Sequence, residues 1–512
     1  MEEKTSNGRL LKGTLVTIAV SVIAKIVAFI TETILAGRLG TSFKSDAYYM
    51  VTSIQYVIYP MLSVGIWKIF LPIYKEKTTL GNIEDANKLT DKVITSFSIV
   101  SIVLVAVLMI FSNGVVSVVA PGFNRETKDL CALLVKISAP MYIFIMVAAV
   151  YASMLQCHNK FLGSQIREVA SHIPTIIAAL LFFSDHGIVS LAVALALGGL
   201  FRLLIELPFV DWGYRFRPSF GKNHDFIIMM KRLPSALVSE GVNQINMLVD
   251  KMMASTLPAG AVSGLNYGNR LTNVFSGLLS TAVSTALYPQ VVELISLKKN
   301  SELNSLLSRI IRIFTLLMVP LTVACILFRS EIVSVVFERG AFGKESVILT
   351  SGTFACYSVG LFFAAVNTII INVFYAYGDT RTPMLISIMN LIINAGFNLL
   401  LMDMIGVNGL AISTSITSLI GFLICMKRID GNIHFSWKDL LKQFAVILAA
   451  SVIACGLARI VTDHISMNKY IELALAVLTG VSVYAAELKL LKIEELTLLA
   501  DLIRKRIRNK DN

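Results

Sequence analysis

Long apolar runs fill the sequence from one end to the other, and only short polar segments separate them. Each run is about 18 to 25 residues long, the length that an α-helix needs to cross about 30 Å of hydrocarbon. No strand-like alternation of about ten residues repeats along the chain, so the pattern excludes a membrane β-barrel. We predict about fourteen spanning helices, at 14–37, 47–73, 93–112, 131–155, 168–184, 187–209, 233–254, 271–291, 310–328, 347–377, 384–402, 405–426, 440–461 and 470–488.

Composition leads to the same fold class. Of the 512 residues 55% are hydrophobic and 15% are charged, whereas a soluble domain carries roughly 25% charged residues. The chain is therefore predicted to be an all-α polytopic membrane protein. Residues 1–13 are charged and lack a small-residue cleavage site, and the first apolar run contains Lys25 and Glu32. We interpret that run as a retained helix and not as a cleaved signal peptide.

The basic residues predict the orientation. With the amino terminus inside, about 30 lysines and arginines fall in inner loops, about 9 in outer loops and about 6 within helices. We therefore expect both termini in the cytoplasm and the chain in the cytoplasmic (inner) membrane of a bacterium. The net charge of +12 then matches anionic lipid headgroups. No nucleic-acid partner is expected, because the sequence has no compact basic domain.

The sequence lacks the motifs of an enzyme. It has no HExxH, no nucleotide-binding loop and no arguable grouping of serine, histidine and aspartate. Its six cysteines are scattered through apolar helices without a CxxC pair, so they are expected to pack rather than to form disulfides or a metal framework. We expect no catalytic residue and no organic cofactor.

The two halves of the chain resemble one another at an offset of about 219 residues, which indicates an internal repeat. The aligned positions are Gly122-Phe123 with Ala341-Phe342, 156–160 with 375–379, and Gly187, Leu191 and Ala192 with Gly406, Leu410 and Ala411. The repeat predicts six-helix bundles over 1–230 and 231–430, with two added helices and a basic tail over 431–512. Such bundles enclose a cavity and rock to give alternating access. Accidental similarity among glycine-rich turns is the alternative.

Two charged residues lie deep in the first predicted helix. Lys25 and Glu32 are seven residues apart, which is two helical turns, so they share a face. A charge at the bilayer centre costs about 2.5–3.5 kcal/mol on insertion scales. We interpret the pair as part of a substrate site, and an ion pair that only joins two helices is the alternative. Lys68, Arg202 and Lys251 lie near predicted helix ends and are expected to extend their charges to the headgroups.

A polar stripe marks the eleventh predicted helix. Asn390, Asn394 and Asn398 recur at every fourth residue and so share one face. Together with Asp250, and with Thr414 as a further ligand, they are candidates to bind a small hard cation such as sodium through oxygen. Hydrogen bonding between helices is the alternative.

Several segments carry a family resemblance. They are residues 32–51, "APGF" at 120–123, residues 233–271, "ERGAF" at 338–342 and "FYAYGDTRTPM" at 374–384. On these motifs the chain resembles the MurJ family of lipid II flippases, within the multidrug/oligosaccharidyl-lipid/polysaccharide exporter superfamily. The resemblance covers essentially the whole chain, including the last two helices, which the family associates with a groove for the lipid tail.

The resemblance implies a set of substrate-binding residues. Arg270 stands in the place of a family arginine, Lys25 stands where an arginine is usual, and Glu32 replaces an aspartate. Lys25 and Arg270 are thus expected to hold a pyrophosphate, with Glu32 orienting or releasing Lys25. The remaining expected members are Thr31 and Tyr59, which occupy two other arginine positions of the family, and Asp46, which lies in the first motif.

The expected function follows from the resemblance. It implies a flippase that moves a polyprenyl-diphosphate-linked cell-wall precursor, lipid II, from the inner to the outer leaflet. The expected partners are the lipid-linked glycan, membrane lipids and other cell-wall synthesis proteins. The alternatives are a flippase for another lipid-linked oligosaccharide or polysaccharide and a cation-coupled multidrug exporter.

Overall fold

The computed structural model describes residues 2–430, 436–464, 468–491 and 493, and α-helix dominates these ranges. The helices are α1 (Glu2–Leu39), α2 (Phe43–Thr79), α3 (Ile83–Ile110), α4 (Ser112–Val119), α5 (Arg125–Ser138), α6 (Met141–Cys157), α7 (Phe161–Ile177), α8 (Phe183–His186), α9 (Ile188–Glu206), α10 (His224–Ala254), α11 (Ala261–Ser296), α12 (Asn300–Leu327), α13 (Arg329–Phe337), α14 (Lys344–Ser358), α15 (Leu361–Ala376), α16 (Arg381–Ile405), α17 (Val407–Asp430), α18 (Trp437–Asp463) and α19 (Lys469–Leu490). A π-helical segment, Ala178–Phe182, joins α7 to α8, and a 3-10 turn, Leu207–Phe209, follows α9.

The helices account for the predicted membrane spans. Nine helices in the described residues are long and apolar enough to cross a membrane, or eleven when two bent pairs each count as one span. The bent pairs are α5 with α6, at 44°, and α14 with α15, at 46°. The other three predicted spans coincide with α2, α10 and α11, which are 37, 31 and 36 residues long. The all-α polytopic fold is confirmed.

The chain divides into two compact units. The first comprises the described residues up to Ser263 together with Arg339–Gly343, and the second comprises Gly264–Glu338 and the described residues from Lys344 onward. Helix α10 therefore groups with the first unit, because it packs closely along α2. The repeat in the sequence places the division at 230 instead. The division at 230 remains a prediction about the internal repeat. The two compact units are defined by packing, which does not test whether the halves arose by duplication.

In the first unit the loop that follows α9, residues 210–223, is fastened to neighbouring helices. The Tyr214 hydroxyl donates to Asp91 Oδ1 of α3 at 2.7 Å, and the Arg217 N–H donates to the same oxygen at 3.0 Å. Burial, with this hydrogen bond, raises the pKa of Tyr214 above its ordinary value. His158, after α6, stacks on Trp212 with ring centroids 3.9 Å apart. These contacts fix the end of α9 in the bundle.

In the second unit α18 and α19 are joined to the neighbouring helices by polar contacts at one end. Arg459 of α18 pairs with Glu331 of α13, and Lys469 Nζ of α19 lies 3.0 Å from Glu338 Oε2. A hydrogen bond from Ser334, with the Lys469 charge, lowers the pKa of Glu338. The last two predicted helices are thus an integral part of the second unit.

The order of the spans predicts which loops face each side of the membrane. Asp185 follows five spans and Lys298 follows eight, and both side chains are exposed. With the amino terminus inside, a membrane-impermeant maleimide should label an Asp185→Cys variant in intact cells, in a background without the six native cysteines. A Lys298→Cys variant should react only after the cells are permeabilised. The reverse pattern, or labelling of both positions from outside, would contradict the predicted topology.

Candidate functional site

Charged side chains from α7 and α9 of the first unit meet beside a tyrosine of α2. At the centre, Arg202 of α9 forms a two-point pair with Glu168 of α7, with Nη1 3.1 Å from Oε1 and Nη2 2.8 Å from Oε2. Nη2 also donates to Ser171 Oγ at 3.3 Å. The guanidinium lies over the Tyr59 ring of α2, 4.9 Å from its centroid. Two-point pairing and stacking on an aromatic face both favour a fixed guanidinium.

A second arginine and a second glutamate complete what we call the charged cluster: Tyr59, Arg167, Glu168, Arg202 and Glu206. Arg167 Nε lies 3.6 Å from Glu168 Oε1, and Arg167 Nη1 lies 3.7 Å from Glu206 Oε1. These distances suit charge attraction but exceed an ordinary N–H···O hydrogen bond. Glu206 is fully buried, and neither of its carboxyl oxygens has a hydrogen-bond partner among the residues that the structure describes.

Glycines bring the helices of the cluster close together. A Cβ on Gly198 of α9 would lie 2.7 Å from the Ser171 carbonyl oxygen of α7, and one on Gly199 would lie 2.9 Å from the Met141 carbonyl oxygen of α6. Small residues allow such close backbone approach between membrane helices. Arg202 follows Gly198 by one turn and therefore reaches Glu168 directly.

The sequence prediction missed most of this cluster. The fifth span was predicted to begin at 168, but α7 begins at Phe161, so Arg167 and Glu168 lie in its second turn. The structure also does not bear out a headgroup position for Arg202, whose side chain is 15% exposed and paired with Glu168. One available signal was the i, i+4 spacing of Arg202 and Glu206 in an otherwise apolar helix.

Three of the predicted substrate-binding residues lie on α1. Thr31 and Glu32 are buried, whereas Lys25 is exposed. The Thr31 hydroxyl donates to the Val27 carbonyl oxygen at 2.8 Å, a bond within its own helix. Thr31 thus supplies no charge, in contrast to the arginine that the family resemblance places there.

Lys25 lies near the depth of the charged cluster. Helix α1 packs against α7, and Arg38 Nη2 of α1 donates to the Leu180 carbonyl oxygen at 3.2 Å. Lys25 lies 13 residues before Arg38, and Arg167 lies 13 residues before Leu180. The first and fifth spans run in the same direction with a rise of about 1.5 Å per residue, so Lys25 and Arg167 are at similar depths.

Asp46, another predicted substrate-binding residue, is bound to the chain itself. Its carboxylate accepts hydrogen bonds from Gly260 N at 2.6 Å, from Ser263 N at 2.8 Å and from Ser263 Oγ at 2.7 Å. Gly260 has φ +96, a left-handed conformation that glycine adopts without strain. Asp46 therefore joins the start of α2 to the turn before α11, and a contact with substrate remains a prediction.

The second unit brings together part of the predicted cation set. Asn394 and Asn398 of α16 are fully buried. Asn394 Nδ2 lies 3.3 Å from Thr414 Oγ1 of α17, and Asn398 Nδ2 donates to Asn394 Oδ1 at 3.2 Å. Asn390 lies beside Gly421, where a Cβ would be 3.1 Å from Asn390 Oδ1. That oxygen has no hydrogen-bond partner among the described residues. Neutral amide and hydroxyl oxygens suit a monovalent hard cation better than a transition metal.

The other two predicted residues belong to different units. Asp250, predicted as a cation ligand, is buried near the end of α10 in the first unit. Arg270, predicted to bind the pyrophosphate, is partly buried on α11 in the second unit. No group of three or more histidine, cysteine, aspartate or glutamate residues suited to a metal ion occurs in the part of the chain that the structure describes.

The fold is that of a polytopic helical membrane protein. Paired arginines and glutamates lie in its first unit, and a cluster of asparagines lies in its second. Two solved structures share this fold. A lipid II flippase MurJ in an inward closed conformation matches with a TM-score of 0.81, at 23% identity, over 94% of this chain and 100% of that one. An inward-facing multidrug resistance MATE family transporter of the MOP superfamily matches with a TM-score of 0.65, at 14% identity, over 81% and 98%.

Sequence comparison identifies the family. The family model described as lipid II flippase MurJ matches residues 35–476. Relatives named probable lipid II flippase MurJ include one from Rickettsia prowazekii, 25% identical over 92% of this chain and 96% of its own length. Another, from Thermotoga maritima, is 26% identical over 92% and 95%. The chain belongs to the lipid II flippase MurJ family.

The pair between Arg202 and Glu168 should be a major energetic contact of the cluster. Arg202→Met leaves the Glu168 charge without its two-point partner, and Glu168→Gln removes the carboxylate that pairs with Arg202 at two points. The pair is only partly buried, with side chains 15% and 37% exposed. Loss of its charge-assisted hydrogen bonds should cost about 1.5–3 kcal/mol, so each single variant should lower the thermal stability of the purified protein. The double variant should be less destabilised than the two losses added, with a coupling of about 1–3 kcal/mol in a double-mutant cycle. Additive losses would show that the pair does not act as a unit.

Proposed function

We propose that this chain is a lipid II flippase that moves the lipid-linked cell-wall precursor from the inner to the outer leaflet by alternating access. Membership of the MurJ family over residues 35–476 is the observation that carries the proposal. The absence of a hydrolytic or nucleotide-binding motif in the sequence fits a transporter rather than an enzyme. Its place is the inner membrane of a bacterium, with both termini in the cytoplasm, as the excess of basic residues in the inner loops supports. Other cell-wall synthesis proteins are its proposed partners.

Cationic side chains supply the headgroup contacts in this proposal. Lys25 on α1 and Arg270 on α11 each offer a positive charge to the diphosphate at some step of the cycle. Charge-assisted hydrogen bonds of this kind contribute about 1.5–3 kcal/mol each. Thr31 and Tyr59 stand where the family resemblance places arginines, and here Arg202 of α9 stacks on Tyr59. Arg202 of the charged cluster thus places a guanidinium group beside Tyr59, the position on α2 where the family resemblance expects an arginine.

Complementation tests the function and the two cations together. The unmodified chain should restore growth to a strain depleted of its own lipid II flippase. Lys25→Ala and Arg270→Ala should each abolish that rescue while the protein remains inserted, because an anion in a low dielectric needs a fixed cationic partner. Lys25→Arg should retain function, since it keeps the charge.

Lys88→Ala is the matched control, because Lys88 is 60% exposed and pairs with Glu84 at the surface. Its rescue should equal that of the unmodified chain. Full rescue by both alanine variants would show that the headgroup binds elsewhere. An inserted, stable but non-rescuing unmodified chain would instead point to another lipid-linked glycan as substrate.

We further propose that sodium binds in the second unit at Asn390, Asn394 and Thr414. The Asn390 oxygen without a hydrogen-bond partner among the described residues supports this site. A cation held there would favour one conformation of the unit and bias the cycle by about 1–3 kcal/mol.

Leucine is similar in size to asparagine, so Asn390→Leu removes the candidate ligand oxygen, which accepts no hydrogen bond from the described residues, with little change in side-chain volume. Sodium should raise the thermal stability and the flipping rate of the unmodified protein relative to potassium, and this difference should vanish in Asn390→Leu. Asn82→Ala, at an exposed helix start without a side-chain capping bond, serves as control. If sodium has no effect on the unmodified protein, the three asparagines do not bind sodium and serve only to hold the helices together.

A further inference from the structure

Glu206 differs from the rest of the charged cluster because its carboxyl group is buried and accepts no hydrogen bond from the described residues. The residue is fully buried, and both of its oxygens lack a hydrogen-bond partner among the described residues. The nearest cation contact is Arg167 Nη1, at 3.7 Å. A buried carboxylate that accepts no hydrogen bond is destabilised by several kcal/mol relative to water. Binding of a proton removes the negative charge and most of that cost.

We propose that Glu206 binds and releases a proton during the transport cycle, so that the charged cluster is a proton-coupling site. The proposal rests on the proposed transport function. The step is a simple protonation: a proton from inner-side water forms an O–H bond on the Glu206 carboxylate and leaves again in a later conformation. No redox partner or covalent intermediate takes part.

The groups around Glu206 explain why a proton changes the whole cluster. Arg167 lies between two carboxylates, 3.6 Å from Glu168 and 3.7 Å from Glu206. When Glu206 is ionised it competes with Glu168 for this guanidinium, and when it is protonated Arg167 is left to Glu168. Arg202, on the same helix as Glu206, also interacts with its carboxyl group. Outside the charged cluster, the titratable groups that face its members include Tyr151 of α6, Tyr56 of α2 and His172 of α7.

The exposure of the two glutamates indicates the route of the proton. Glu168 has a side chain that is 37% exposed, whereas that of Glu206 is 0% exposed. Glu206 is the last residue of α9 and Glu168 lies in the second turn of α7, at the ends that the predicted topology places on the inner side. Glu168 is therefore the accessible carboxylate of the cluster, and Glu206 forms its closed end.

Charge balance connects the proton to the substrate. Two guanidinium groups and two carboxylates cancel, so the cluster is neutral when both glutamates are ionised. One proton on Glu206 leaves a net positive charge beside Tyr59 and at about the depth of Lys25. An anionic diphosphate binds better to that state, and by linkage the bound anion favours protonation. Loading from the inner side would thus take up a substrate and a proton together.

Infrared difference spectroscopy on the full-length protein in lipid nanodiscs tests proton binding without any transport. Across a pH series the unmodified protein should show a carbonyl stretch of a protonated carboxylic acid that appears on acidification. Glu206→Gln should lose this band, and Glu84→Gln should keep it, because Glu84 is 84% exposed and paired with Lys88. No titrating band, or one that persists in Glu206→Gln, would overturn the proposal.

Flipping in proteoliposomes gives the second readout. If protonation of Glu206 limits the rate, flipping of a fluorescent polyprenyl-diphosphate glycan should change by up to about tenfold per pH unit below saturation. Glu206→Gln, which resembles the protonated form, should flip with less than about a twofold change per pH unit. Equal pH dependence in both proteins would overturn the coupling. Absence of flipping in the unmodified protein would contradict the proposed function instead, while the infrared titration would still decide whether Glu206 binds a proton.

Discussion

The cost of placing a charge in hydrocarbon constrains this molecule more than any other interaction. The pair between Arg202 and Glu168 shows how the chain meets that cost, since each charge neutralises the other through two hydrogen bonds. The pair in turn requires close packing of α7 and α9, which Gly198 permits at the Ser171 carbonyl. The fastened loop after α9 holds the helix end that carries Glu206. Helix spacing, loop anchoring and charge placement therefore depend on one another.

The two units solve the problem of buried polar groups by different chemistry. The first unit uses ions, with two arginines and two glutamates sharing one cluster. The second uses neutral amides, with Asn394 joined to both Thr414 and Asn398. Ionic clusters respond to protons and anions because their net charge can change. Amide clusters present fixed dipoles and oxygen ligands. The proposed functions of the two units follow this distinction.

Residues predicted to bind substrate turn out to differ in what they already contact. Asp46 accepts three hydrogen bonds from the turn that precedes α11, so its carboxylate has a structural role irrespective of substrate. Thr31 bonds to its own helix. Sequence motifs identify positions that a family uses, and they do not separate a residue that binds substrate from one that supports the backbone. Only the contacts make that distinction.

The sequence by itself determined the fold class, the family and most of the spans, because hydropathy and motifs are properties of consecutive residues. It also assigned Asn394 and Thr414 to one candidate cation site, since three asparagines on one helix face need polar neighbours, and the contact between these two side chains came from the structure. It could not reveal the cluster of Arg167, Glu168, Arg202 and Glu206, whose members are distributed over two helices and contact Tyr59 on a third. In a sequence, a charged residue near a helix end looks the same whether its side chain reaches the lipid headgroups or pairs with another charge inside the bundle. The tertiary structure decided between these, because Arg167 and Glu168 lie in the second turn of α7 and glycines bring α9 against that helix.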